Sequence, residues 1–161
     1  MTVLADLAPP EDWAELWHDD ADARELHRLR GLALSQASET EAVLTQVLEI
    51  LAPSSTLARP AGALLKSVKK NLTNELWVDV AESVQLLERA INRRNRLAHD
   101  MIQIGSSWQQ GQYVPVISVL GADEVSEDNL RGELALQQEA TQAGVVLLLA
   151  VDEWRRSIEG E

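Results

Sequence analysis

The sequence predicts an all-α fold: an antiparallel helical bundle with a small β-hairpin inserted before the last helix. Three observations predict it. Apolar residues recur at steps of three and four over long stretches. One region, near residues 101–120, changes to a strand-like pattern around a Gln/Gly turn. Hydrophobic residues make up 45% of 161 residues, enough for one sizeable core and too many for a disordered chain. There is no Cys, which excludes disulfide frameworks, thiolate metal sites and Cys nucleophiles.

Residues 1–20 read as an N-terminal arm and residues 21–161 as a single helical domain. In the arm, Pro9 and Pro10 open a short helix that holds Trp13 and Trp17 on one face. From about residue 22 to residue 51, Leu29, Ala33, Ala37, Thr40, Leu44, Val47 and Leu51 recur at helical steps, and Pro53 ends the run. Gly31 marks a bend or weakens this helix. A shorter helix is expected over residues 61–72, then a connection from Asn71 through the Trp77 region. A third helix is expected from about Asp79, as N-cap, to His99.

The strand pattern covers residues 101–104 and 113–120, with Gln109, Gln110, Gly111 and Gln112 as the turn. Pro115 places its strand at an edge. Ser126 caps a final helix reaching about Ile158, with Glu127 and Asp128 at its positive end. Its apolar run at residues 145–151 predicts a central place in the bundle. That run falls far short of the roughly 20 residues that span a bilayer, and the N-terminus has no basic segment leading into an apolar one. The expected location is therefore cytoplasmic, with no membrane partner.

The net charge is −12. Alone it argues against nucleic acid, because phosphate binding needs local positive charge. The charge is uneven, however. Within residues 59–96, eight basic residues stand against four acidic ones, a local +4 that leaves −16 on the remainder. This suggests a basic pocket inside an acidic shell.

The informative stretch lies in that basic segment: Arg93, Arg94, Asn95, Arg96, Leu97, Ala98, His99 and Asp100. At 100° per residue, Val80, Val84, Leu87 and Ile91 form one stripe. Arg94 and Ala98 continue it, whereas Arg89, Arg93 and Arg96 lie on the opposite face. Arg94 thus takes a seam position, where an unpaired guanidinium is costly unless it reaches water or faces a cleft. Asn95 and His99 are four apart, so the amide can fix the imidazole tautomer. Arg94 and His99 diverge by about 140° on one helix, so two copies about a two-fold axis are needed to aim both at one cleft.

This stretch resembles the HEPN superfamily, small helical bundles found in prokaryotic toxin–antitoxin and antiviral systems. Their hallmark is an Arg, usually followed by a polar residue such as Asn, then a His after four to six intervening residues. Arg94, Asn95 and His99 match with four intervening residues, late on a long helix. The resemblance spans the helices from about residue 26 to His99 and the final helix.

The resemblance implies a metal-independent endoribonuclease acting as a homodimer. The ribose 2′-OH attacks the adjacent phosphate and leaves a 2′,3′-cyclic phosphate. His99 acts as general acid or base, Arg94 holds the pentavalent phosphate with a bidentate fork, and Asn95 orients His99 or contacts phosphate. Arg93, Arg96, Lys69 and Lys70 guide the RNA backbone. No cofactor or metal is implied. A cognate antitoxin or regulatory protein is an expected partner. Position 101 is Met where members silenced by nucleotidyltransferase antitoxins often carry Tyr, so that control mode is not expected.

Two other readings stay open. One is a non-catalytic module of the same kind, binding a nucleotide, an RNA or a partner protein. The other is a structural bundle in which local carboxylates such as Asp100 satisfy Arg94 and His99. Other sites are weak. His18 and His27 lie among acids at no known metal-binding spacing. Trp77, Trp108 and Trp154 are expected to pack rather than to stack on bases.

Overall fold

The computed structural model describes residues 19–53, 60–99, 102–119 and 124–160. The expected arm helix with Trp13 and Trp17 lies outside the described residues. Among the described residues, four helices carry the fold. They are α1 (Asp19–Leu51), α2 (Ala61–Asn71), α3 (Asn74–His99) and α4 (Glu127–Glu159). Between α3 and α4 run β1 (Ile102–Gln109), β2 (Gln112–Val119) and β3 (Glu124–Val125).

The helix ends follow local chemistry. α1 stops at Leu51, two residues before Pro53. α3 starts earlier than Asp79, because the Thr73 hydroxyl accepts the Leu76 amide at 3.3 Å. Asp79 therefore lies more than a turn inside the helix, and Leu72 and Thr73 alone connect α2 to α3. Ser126 caps α4 as expected, accepting the Asn129 amide at 3.3 Å.

Helix directions follow from cross-helix partners. Glu25 meets Arg131, Thr40 meets Thr141, and Val43 lies against Gly144, so α1 and α4 run the same way. Arg30 meets Leu97 and Gln137 meets Ala90, so α3 runs against both.

The expected architecture is corrected in two respects. The bundle is not antiparallel throughout, because its two longest helices are parallel. The short α2 lies between α1 and α3, so a fourth long pass is missing. The small hairpin expected before the last helix is also not what forms. The backbone there makes a three-stranded antiparallel sheet in the order β1-β2-β3. Its first strand is twice the expected length, since polar Ser106 and Ser107 continue the register opposite Pro115 and Val114. β2 is the middle strand, not an edge, yet β3 pairs only with Ile117 and Ser118. The missing N–H of Pro115 therefore falls outside that short ladder. The turn narrows to Gln110 and Gly111, both at positive φ, as a two-residue type I′ turn requires. Among the described residues, those found buried all lie on helices, and the packed helical body is all-α.

The core has two parts. The larger gathers Leu44, Val47 and Leu48 of α1, Leu64 and Val68 of α2, Val80, Val84 and Leu87 of α3, and Leu147 and Val151 of α4. A smaller cluster joins Leu26, Leu29 and Leu130, flanked by Leu97 and Leu134. Between them lies a polar layer. Thr40 and Thr141 share a hydrogen bond at 2.9 Å, Gln36 donates to Thr141 at 2.9 Å, and buried Gln137 donates to the Ala90 carbonyl at 2.9 Å. Gly144 lets α1 approach α4, because a Cβ there would stand 3.2 Å from a Val43 methyl.

The run at residues 145–151 is not central. Leu147 and Val151 are buried, but Val145, Val146 and Leu149 are exposed, because α4 packs against α1 and α3 on one side only. By length and composition α4 is apolar enough to cross a membrane. It also buries Glu133 and Gln137 against α3, as a bundle helix does.

Gly31 lies in the exposed interior of α1 with nothing within 4 Å of where a Cβ would stand. Gly31→Ala should therefore stabilise the protein by about 0.5–1 kcal/mol, by removing backbone entropy from the unfolded chain. A urea midpoint that rises at unchanged slope is the expected result.

Candidate functional site

The motif occupies the last two turns of α3, just beyond the polar layer. Arg94 holds the seam position that the periodicity assigns it, and its guanidinium turns toward α1. One terminal nitrogen makes a 3.0 Å ion pair with Glu41, and the two side chains are 23% and 28% exposed. The other terminal nitrogen donates to the Asn95 amide oxygen at 3.2 Å. The third nitrogen, Nε, is buried with no hydrogen-bond partner among the described residues. A donor in this position can take a further acceptor, such as a phosphate oxygen.

Asn95 thus accepts from Arg94, while its expected bond to the His99 ring lies outside the described residues. His99 is the final residue of α3. Its side chain, and residues Asp100 and Met101, lie outside the described residues. The end of the helix is held from α1, where Arg30 aims Nε and a terminal nitrogen at the Leu97 carbonyl, at 3.2 and 3.1 Å. A cation bonded to a last-turn carbonyl satisfies an orphan acceptor and complements the negative end of the helix dipole.

The other basic residues do not converge on Arg94. Arg93 points the opposite way, to α4, where two of its N–H groups converge on Glu133 Oε1. Arg93 is 56% exposed but Glu133 only 9%, and Glu133 Oε2 is buried without a partner among the described residues. Hydrogen bonding to that carboxylate raises Arg93 further above its ordinary pKa. Arg96 is exposed on the same side. With Arg89, Asn92, Asn129 and Asp128, the Arg93–Glu133 pair and Arg96 line a groove of about 600 Å³ between α3 and α4.

Lys69 lies on a third side, in a smaller groove of about 300 Å³ between α2 and α3, paired with Glu88 at 3.2 Å. Lys70 is exposed on α2. The single basic pocket suggested by the charge pattern is thus corrected. The cations are spread over three sides of α3, and several have carboxylate partners.

Sequence reasoning missed Glu41, Arg30 and Glu133. For Glu133 a signal exists, since it falls on the stripe of Leu130, Gln137, Ala140, Leu147 and Val151, where a carboxylate needs a partner. Nothing in the spacing pairs Glu41 with Arg94.

Trp154 packs against the larger core, while Trp77 and Trp108 are exposed. His27 is exposed on α1, and His18 lies outside the described residues. Among the described residues no cluster of three or more His, Asp or Glu is placed to hold a metal ion. No family model matches the chain, and comparison with curated proteins and with solved structures finds none similar to it.

Proposed function

We propose that this chain is a metal-independent endoribonuclease of the HEPN kind, working in the cytoplasm as a homodimer in toxin–antitoxin or antiviral defence. The observation that carries the reading is Arg94. It is a partly exposed guanidinium at a bundle seam, with an unsatisfied buried N–H, one turn before a helix-terminal His99. Such a group suits a phosphate, whose oxygens can accept from the fork.

In this mechanism one His99 takes the proton of the 2′-hydroxyl. The 2′-oxygen bonds to phosphorus as the bond to the 5′-oxygen breaks. The departing 5′-oxygen takes a proton from water or from a protonated His99, and a 2′,3′-cyclic phosphate remains. Arg94 stabilises the charge that develops on the phosphoryl oxygens. Two copies supply the pair of faces that one helix cannot, and a cognate antitoxin or regulatory protein would restrain the activity.

A specific observation favours a second reading, the non-catalytic module. Glu41 and Asn95 already occupy two of the three guanidinium nitrogens, as they would in a site that only binds or scaffolds. Incubating mixed RNA in EDTA with wild type and with His99→Ala separates the two. Cleavage by wild type alone, with cyclic phosphate ends, is expected. Equal cleavage by both, or none by either, sinks the nuclease reading. Light scattering that shows a monomer at micromolar concentration would remove the composite site.

A further inference from the structure

We infer that the groove between α3 and α4 is a separate RNA-backbone site that leads the strand toward the end of α3. This rests on the reading that the chain acts on RNA, and it assigns a task to a face that the Arg94 site does not use.

The groove has one arginine wall. Arg89, Arg93 and Arg96 share a face of α3, and Arg93 is neutralised by Glu133. Arg89 and Arg96 are exposed and form no ion pair among the described residues. They stand two helical turns apart, about 10.5 Å along the axis, so each can take a phosphate of the same strand. Between and opposite them, the Asn92 and Asn129 amides offer donors and acceptors for ribose hydroxyls or base edges.

The Arg93–Glu133 pair forms the fixed floor between the two free cations. Because Glu133 is buried, its charge is spent on Arg93 rather than presented to a passing phosphate. The chain carries −12 in all, so a groove where three arginines face only Glu133 and Asp128 is a local exception that a polyanion would find. Charged and amide side chains dominate the lining, with Leu136 its one large apolar side chain. Arg96 lies three residues before His99, so a strand in the groove reaches the motif end of the helix.

The test is fluorescence anisotropy with a short single-stranded RNA across a salt series, alongside cleavage kinetics. Arg89→Gln with Arg96→Gln should weaken binding about ten-fold at low salt and reduce the salt slope by about 1.4, two phosphate contacts at roughly 0.7 each. KM should rise while kcat at saturation stays unchanged. Asp128→Asn, at the groove rim, should tighten binding and confirms the effect in a variant that adds no repulsion.

If wild type cleaves RNA but the double variant keeps its KM and salt slope, the groove inference is overturned and the nuclease reading stands. If wild type neither binds nor cleaves RNA, both fall. If an acidic peptide such as polyglutamate binds the groove and RNA does not displace it, the groove is a protein-docking site and the inference is wrong.

Discussion

Arg94→Ala should slow RNA cleavage by about 100- to 1000-fold while the bundle stays folded. The rate effect follows from the role of the guanidinium, whose fork meets negative charge as it develops on phosphorus. The small stability effect follows from its surroundings. Arg94 is only partly buried, its Nε has no partner, and the carboxylate left behind on Glu41 is 28% exposed and can be hydrated. Arg94→Lys should recover little of the lost rate, because an ammonium keeps the charge but not the planar pair of donors. The measurements are kcat and KM on one RNA, with thermal melts as the folding control. A wild-type rate in Arg94→Ala would make Arg94 a structural residue whose task is to hold α1 to α3 through Glu41.

The same geometry gives Glu41 a definite sign. A carboxylate 3.0 Å from Arg94 competes with substrate phosphate for that guanidinium. Glu41→Gln keeps an oxygen that can accept from Arg94 and removes the charge. It should lower KM by about three- to ten-fold, the size expected when one partly exposed charge contact is removed. A rate loss matching that of Arg94→Ala would instead show that Glu41 positions the arginine.

These partners show how far the sequence could be read. The helical periods of α1, α3 and α4 are legible because burial on one face imposes a step of three to four residues. Leu29, Ala33, Ala37, Thr40, Leu44 and Val47 are all buried. The seam position of Arg94 follows from the same arithmetic. A wheel gives the face of a residue but not its neighbour across the interface, so Glu41 and Glu133 could not be paired with their arginines in advance.

Helix direction is not legible for a related reason. The chain passes along the bundle in α1, returns only in α3, and passes again in α4, and nothing in the periodicity shows that α2 is too short to count as a return. The full length of the first strand is hidden in the sequence because Ser106 and Ser107 carry no apolar signal, although backbone pairing continues through them. The burial expected of residues 145–151 assumed neighbours all round, which a perimeter helix lacks.

Arg93→Met should destabilise the bundle by about 2–3 kcal/mol, the largest stability loss expected of a single change at the motif. Removing the arginine takes both N–H donors from a carboxylate that is 9% exposed and whose Oε2 already has no partner. The cost lies below that of breaking a fully buried pair, because Arg93 itself is half in water. Replacing both residues, Arg93→Met with Glu133→Leu, removes the stranded charge and adds apolar surface beside Leu136. The double variant should return to within about 1 kcal/mol of wild type, which makes the two changes strongly non-additive. Urea unfolding with a common slope measures all three proteins. If Arg93→Met alone is neutral, Glu133 has another donor and the pair is not what fixes α3 against α4. RNA affinity should fall less in Arg93→Met than in the Arg89 and Arg96 variants, since a guanidinium already satisfied by Glu133 has little charge left to offer a phosphate.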